Sequence, residues 1–158
     1  MTAAPTQRDI PGVIAPPPLI LLGHILLGLA LDWLRPTPFL PAAAQYALGG
    51  ALIALALALA GAAIFRFARA GTNVPTRQPA TALVVAGPYR FSRNPIYVGM
   101  ILLLLGIGVM VDSVWILACA VPFALVLRYG VIAREERYLA AKFGDAYRLY
   151  CTKVRRWI

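Results

Sequence analysis

The fold is decided by one long apolar stretch, residues 96–132, which reads IYVGMILLLLGIGVMVDSVWILACAVPFALVLRYGVI. Two apolar runs, 96–111 and 114–132, lie on either side of Asp112-Ser113, a pair typical of a tight turn followed by a helix N-cap. A transmembrane helix needs roughly 20 mostly apolar residues. The stretch therefore predicts a hairpin of two transmembrane helices, of which the first is short, at roughly 24 Å.

The apolar pattern continues upstream of this hairpin. Further apolar runs occupy residues 19–34 and 42–68. Of all 158 residues, 61% are hydrophobic and 13% are charged, whereas a soluble domain is about half apolar and about a quarter charged. The sequence predicts one all-α integral membrane domain, residues 1–158, which is a bundle of about four transmembrane helices. Its first residues, 1–18, are predicted to be a poorly ordered lead-in.

The positions of the basic residues predict the orientation of the bundle. Of the 15 Lys and Arg residues, five lie in residues 66–93 and eight in residues 128–156. Four spans place these two segments on one side, which the positive-inside rule makes cytoplasmic. We interpret the net charge of +9 as membrane topology rather than nucleic-acid binding. We expect a multi-pass protein of a bacterial inner membrane whose connector, 69–95, and C-terminal segment, 134–158, are cytoplasmic.

The C-terminal segment, residues 134–158, predicts an amphipathic helix at the membrane surface. Apolar and aromatic residues recur there at helical spacing between charged ones, with Gly144 as a candidate interruption. Glu135 and Glu136 stand at its beginning. Adjacent carboxylates at this point are either a solvated helix start, where acids suit the N-terminus, or a functional pair. The residues alone leave both interpretations open.

Other patterns in the chain limit the chemistry. One histidine, His24, and two distant cysteines, Cys119 and Cys151, predict no metal site. A small transporter is an alternative function for four short spans, but it usually requires a charged residue in mid-membrane, where only His24 lies. Gly106 and Gly108, inside the third run, indicate either a packing notch or a place where a ligand approaches the helix backbone.

Residues 87–99, GPYRFSRNPIYVG, resemble the GPYRxxR(H/N)PxYxG signature of the isoprenylcysteine carboxyl methyltransferase and phospholipid methyltransferase superfamily. The downstream part is also similar to that family, and comprises Glu135-Glu136, Leu139, Phe143-Gly144, Tyr147 and the closing VRRW of residues 154–157. The resemblance covers residues 71–158. The first two spans are matched by hydrophobicity alone.

The resemblance implies an enzyme that uses S-adenosylmethionine. Asn94 stands where many family members have histidine, and it keeps a hydrogen-bonding side chain that cannot titrate. By position, the cofactor-binding residues would be Leu83, Val84, Tyr89, Asn94, Pro95, Ile96, Tyr97, Gly106, Gly108, Glu135 and Glu136.

The resemblance also implies an amphiphilic methyl acceptor, either a prenylated or lipid-like carboxylate or a phospholipid amine. A neutral acceptor needs a base, for which Tyr97, Glu135 and Glu136 are the candidates. Arg90, Arg93 and Arg128 are the candidate substrate-binding residues, Arg128 for the acceptor's anionic group and the other two for a lipid phosphate or the cofactor carboxylate. The alternative role of all three is anchoring at the lipid headgroups. Membrane lipids are the expected partners. A non-catalytic relative that binds lipid remains a further alternative.

Overall fold

The structure is a computed structural model that describes residues 9–74 and 78–158. Within these ranges the regular structure is helical, which confirms the predicted all-α fold. The elements in chain order are α1 (Pro17–Leu34), α2 (Ala42–Arg69), a 3₁₀ turn (Gly87–Arg90), α3 (Pro95–Met110), α4 (Val114–Ala118), α5 (Ala120–Val126), a π-helix (Leu127–Ile132) and α6 (Ala133–Lys153).

Three helical stretches are long and apolar enough to cross a membrane. They are α1, α2 and the continuous helical path Val114–Lys153, whose apolar part is the run 114–132. The fourth apolar helix, α3, is shorter, as its sequence predicts. Large apolar side chains on α1 and α2 stay exposed, among them Leu19 and Leu57. Such faces suit lipid, so the predicted membrane bundle of about four helices is confirmed.

The turn at Asp112-Ser113 forms as predicted. It also forms hydrogen bonds with the loop between α1 and α2. The Ser113 hydroxyl accepts a hydrogen bond from the Ile116 amide at the start of α4. Asp112 adopts a φ of 58° and accepts hydrogen bonds from the amides of Phe39 and Leu40, each at 3.0 Å. One carboxylate therefore ties the α1–α2 loop to the α3–α4 turn.

Small residues set the distance between the helices at the turn end of the bundle, the end that contains the α3–α4 turn. A Cβ added to Gly49 would lie 2.8 Å from the Met110 Cα, and one added to Gly28 would lie 2.8 Å from the Ile116 Cα. Without these side chains the helix backbones approach closely, and the dispersion contacts that remain hold helices together in lipid. Leu104 and Phe123 are fully buried in the core between them.

The fourth apolar run does not end before the amphipathic segment but continues into it. The π-helix leads directly into α6, and the non-helical residue is Gly144, with φ 54° and ψ −126°. A π-helical stretch contains a wider turn and is frequent at functional sites. Because the wider turn rotates everything after it about the helix axis, it helps to decide which face of α6 points inward.

Residues 9–16 lie along the π-helix and α6 and are called the N-terminal strap below. The Ile14 amide donates to the Gly130 carbonyl at 3.2 Å, and Arg134 donates to the Gly12 carbonyl at 2.7 Å. Lys142 forms an ion pair with Asp9. The predicted poorly ordered lead-in is therefore wrong for the strap, while residues 1–8 lie outside the described residues.

Candidate active site

A cavity opens at the end of the bundle where α3 and α6 begin. Four segments line it, namely the end of α2, the connector up to residue 84, the 87–99 motif and α6. The structure thus brings together parts of the chain that the sequence predicts to meet. The predicted cofactor-binding residues in the lining are Leu83, Val84, Tyr89, Asn94, Ile96, Tyr97, Glu135 and Glu136.

The centre of the cavity is a hydrogen bond between the two motifs. The Tyr97 hydroxyl donates to the Glu135 Oε1 at 2.7 Å, although the two residues are 38 positions apart. Both are buried, with exposed fractions of 5% and 6%. Tyr97 sits in the first turn of α3, behind Pro95, which begins that helix and is itself fully buried. The helix start therefore places the tyrosine, and the π-helix and α6 place the carboxylate.

Burial raises the pKa of Glu135, which lies beyond the apolar run 114–132, to about 8. The hydrogen bond from Tyr97 lowers this pKa, while the charge of the neighbouring Glu136 raises it. No Lys or Arg among the described residues forms an ion pair with Glu135, although four other ion pairs are present there. A buried carboxylate without a cation is costly, so this site favours a ligand that brings a positive charge.

Glu136 has a different environment from its neighbour. Arg156 donates to both of its oxygens, from Nε at 3.0 Å and from a terminal nitrogen at 2.6 Å. Arg93 adds a third contact at 3.0 Å. Such a bidentate guanidinium pair is strong and geometrically specific. Two arginines therefore occupy the Glu136 carboxylate. Of the two adjacent carboxylates, only Glu135 is left for a ligand.

The C-terminal tail holds the motif in place. The Asn94 side-chain amide donates to the Arg156 carbonyl at 2.9 Å, and the Arg93 amide donates to the Arg155 carbonyl at 3.0 Å. The Asn94 amide in turn donates to the Ser92 hydroxyl at 3.0 Å. The Arg156 carbonyl thus needs only an N–H donor at position 94. The asparagine amide supplies that donor without a titratable group.

The 3₁₀ turn of the motif positions Tyr89. Its first residue, Gly87, has a φ of 64°, a region that L side chains rarely adopt. The Tyr89 ring packs edge-on against Phe67 with centroids 5.4 Å apart. Its carbonyl accepts a hydrogen bond from the Tyr150 hydroxyl at 2.7 Å. The ring therefore forms a fixed aromatic wall of the cavity.

Tyr138 and Thr72 hold the connector over the cavity, and sequence reasoning missed both. The Tyr138 hydroxyl accepts hydrogen bonds from the Ala80 amide and from Lys142, each at 3.0 Å. The Thr72 hydroxyl accepts from the Thr81 amide at 2.8 Å. Neither residue belongs to a recognisable motif. The only sequence signal for Tyr138 is its place in the apolar stripe of the amphipathic helix.

Five predicted site residues are absent from the lining of this cavity, and one of them is Pro95, which is fully buried at the start of α3. A Cβ on Gly106 would meet Ile53 of α2 at 2.8 Å, and one on Gly108 would meet Leu117 of α4 at 2.7 Å, so neighbouring helices fill the space beside both glycines. These contacts support the packing alternative for both glycines. Arg90 is exposed, and Arg128 places its guanidinium 5.4 Å from the Tyr129 ring centroid. Of the three predicted acceptor-binding arginines, Arg93 alone lines the cavity.

The described residues contain no group of three or more His, Cys, Asp and Glu side chains that could hold a metal ion. Cys119 is a buried free thiol, and Cys151 is a half-buried one. His24 bonds the Ile20 carbonyl within α1 at 2.8 Å, and its ring packs against Phe123 with centroids 5.3 Å apart. This intramembrane histidine therefore has structural partners.

Comparison with known proteins gives one family and two relatives. The sequence model of a family described as phospholipid methyltransferase matches residues 44–146, which include the motif and both glutamates. An uncharacterized protein of Haemophilus influenzae is 42% identical over 62 residues, 39% of this chain and 98% of that protein. The cobalt-zinc-cadmium resistance protein CzcN of Cupriavidus metallidurans is 44% identical over 64 residues, 40% of this chain and 29% of that protein's length.

Proposed function

Since this chain belongs to the phospholipid methyltransferase family and is a membrane methyltransferase, we propose that its methyl donor is S-adenosylmethionine and its acceptor an amphiphile. The acceptor would be a prenylated or lipid-like carboxylate, or a phospholipid amine. The observation that carries the proposal is the buried Tyr97–Glu135 pair, whose carboxylate forms no ion pair within the described part of the chain.

The residues of the cavity fit the parts of this donor. S-adenosylmethionine has a sulfonium cation, an ammonium group, ribose hydroxyls and an adenine ring. The Glu135 carboxylate can accept hydrogen bonds from the hydroxyls or the ammonium group, and it also supplies negative charge. Leu83, Val84 and Tyr89 offer apolar and aromatic surface for the ring. Tyr97 orients the carboxylate through its hydroxyl.

The chemistry divides between the cofactor and the protein. When bound, the cofactor supplies an electrophilic methyl group, which the acceptor takes by in-line displacement at carbon. A neutral amine or hydroxyl acceptor must also lose a proton, and Glu135 is the carboxylate left to receive it. A carboxylate acceptor needs no base. Holding donor and acceptor in line then accounts for much of the rate.

The proposal also covers the side of the membrane on which the cavity lies and the lipids that surround the acceptor. The cavity lies between the two segments that are rich in Lys and Arg, residues 66–93 and 128–156. The positive-inside rule supports a cytoplasmic site in a bacterial inner membrane. A water-soluble donor would reach the cavity from the cytoplasm, and the acceptor's apolar tail would remain among the membrane lipids.

Titration of the purified full-length protein with S-adenosylmethionine in detergent micelles, by calorimetry, tests this function. We expect saturable binding that weakens at least tenfold in Glu135→Gln, which removes the charge but keeps the shape. The matched control is Asp145→Asn, because Asp145 is an exposed carboxylate of α6 outside the cavity. Absence of binding to the unaltered protein would contradict the proposed donor. Equal loss in both variants would contradict the assigned site.

A further inference from the structure

A second cavity lies beside the first, along the bent helix α6. Its lining includes Ala133 and Ala140, before the bend at Gly144, and Cys151 after it. Three residues line both cavities, namely Arg93, Glu136 and Tyr147. The Glu136 ion pairs with Arg93 and Arg156 therefore form a wall that the two cavities share.

The second cavity is strongly basic. Four guanidinium groups line it, those of Arg93, Arg137, Arg148 and Arg156, against the single carboxylate of Glu136 in the lining. Arg148 also pairs with Asp145. Counting both carboxylates, the four positive charges exceed the two negative ones, so the space attracts an anion.

Arg137 offers accessible guanidinium donors to a ligand in this cavity. The Arg93 Nε also has no hydrogen-bond partner among the described residues, but it is buried. Arg137 donates from its Nε to the Ala133 carbonyl, and its terminal nitrogens bond no other described residue. Unpaired N–H groups of this kind suit the oxygens of a phosphate, which accept several charge-assisted hydrogen bonds at once.

The remaining lining is apolar. Ala133, Ala140 and Cys151 present no charge, and Tyr147 is buried with an exposed fraction of 4%. A free inorganic phosphate gains nothing from such surface, whereas an amphiphile does. The combination of basic rim and apolar floor therefore favours an anion that carries a hydrocarbon part.

We propose that this second cavity binds the phosphate group of an anionic phospholipid, held chiefly by Arg137 and Arg148, with Arg93 and Arg156 at the shared wall. The site lies on the helix that continues the last span, where basic residues meet anionic headgroups. This binding needs neither the methyl donor nor catalysis, and so it does not depend on the proposed function.

The test uses the purified full-length protein in a nonionic detergent without S-adenosylmethionine. Dihexanoyl phosphatidylglycerol is titrated calorimetrically, with dihexanoyl phosphatidylcholine and inorganic phosphate as separate arms. The double variant Arg137→Gln/Arg148→Gln removes two cations of the cavity. Lys153→Gln/Arg155→Gln is the matched control, because it removes two exposed cations outside that lining.

We expect phosphatidylglycerol to bind the unaltered protein and the control variant equally, and the cavity variant at least about tenfold more weakly. Equal affinity of the two variants would overturn the site, because binding would then follow total charge. Equal binding of phosphatidylcholine would overturn the requirement for an anionic lipid. Equal binding of inorganic phosphate would overturn the lipid as occupant.

A second readout does not depend on the folding of any variant. Cys151 lines the cavity and is half-buried, whereas the other thiol, Cys119, is buried. Phosphatidylglycerol should therefore slow the alkylation of Cys151 by a maleimide in the unaltered protein, while phosphatidylcholine leaves the rate unchanged. An identical rate with both lipids would contradict the proposed position of the ligand.

Discussion

The turn end of the bundle and its cavity end are held together in different ways. At the turn end, glycines let the helix backbones approach closely, as Gly49 does against Met110 and Gly28 against Ile116. At the cavity end, single hydrogen bonds and ion pairs join distant residues, as Tyr97 is joined to Glu135 and Glu136 to Arg156. Changes at the turn end should therefore alter stability, whereas changes at the cavity end should alter ligand binding first.

The largest expected effect at the cavity end is a pH dependence of cofactor affinity. A pKa of about 8 leaves Glu135 mostly neutral at pH 6 in the ligand-free protein. A cationic ligand favours the ionised form, so its affinity should rise by up to about tenfold per pH unit from pH 6 towards 8 and level off above that. Calorimetric titration with S-adenosylmethionine at several pH values measures this rise.

Glu135→Gln provides the control for that pH dependence, since it cannot ionise. Its weaker affinity should stay flat over the same range. The stability of the ligand-free fold changes with pH in the opposite direction. Because the pKa of this acid is raised from 4.5 to about 8, the ligand-free fold loses stability as pH rises between those values. Cofactor affinity that falls with rising pH would contradict a carboxylate that pairs with the donor's positive charge.

The largest expected effect at the turn end of the bundle is on stability. Gly49→Ala forces a methyl group to within 2.8 Å of the Met110 Cα, and we expect a loss of about 1–3 kcal/mol in the free energy of unfolding. Gly61→Ala, on the same helix with nothing within 4 Å of its added Cβ, should instead stabilise by up to about 1 kcal/mol. Denaturant unfolding in micelles, followed by circular dichroism, compares the two.

An intermediate effect is expected from the wall of the cavity. Arg156→Ala removes both contacts of that guanidinium with Glu136 and leaves Arg93 as the remaining ion-pair partner. We expect about a tenfold loss of cofactor affinity, since a lost charged hydrogen bond costs roughly 1.5–3 kcal/mol and part of that is recovered by relaxation. Arg155→Ala, whose exposed side chain is not in the lining, should leave the affinity unchanged.

The smallest effect should come from the connector. Tyr138→Phe removes the acceptor of the Ala80 amide while keeping the ring. One neutral hydrogen bond contributes about 1 kcal/mol. Its loss should weaken the affinity for S-adenosylmethionine severalfold and change the free energy of unfolding little. Tyr129→Phe is the control, because Tyr129 is exposed and lies outside the cavity. An equal effect of the two changes would show that the connector contact does not position the site.

Local sequence chemistry predicts much of the fold. The Asp112-Ser113 turn, the start of α3 at Pro95 and the break at Gly144 all follow from the properties of those residues. The meeting of Tyr97 with Glu135 follows from the resemblance together with the hairpin between them. These features depend on residues that are near in sequence, or on a family resemblance that includes both interacting residues.

Other features depend on contacts that no sequence pattern specifies. The π-helix before α6 and the strap contact between Ile14 and Gly130 are outcomes of tertiary packing. Nothing in the pair Glu135-Glu136 reveals which carboxylate takes Arg156, because that choice depends on the rotation of α6. For Gly106 the sequence leaves packing and ligand contact open, and only the position of Ile53 supports packing.

The most direct test of the central claim is methyl transfer itself. Membranes containing the full-length chain are incubated with S-adenosylmethionine labelled in its methyl group, and label in the organic-extractable lipid fraction is counted over time. We predict incorporation for the unaltered chain and for Asp145→Asn, and a large loss for Glu135→Gln at equal protein level. Incorporation by Glu135→Gln at the unaltered rate would contradict the assignment of the Tyr97–Glu135 cavity as the active site.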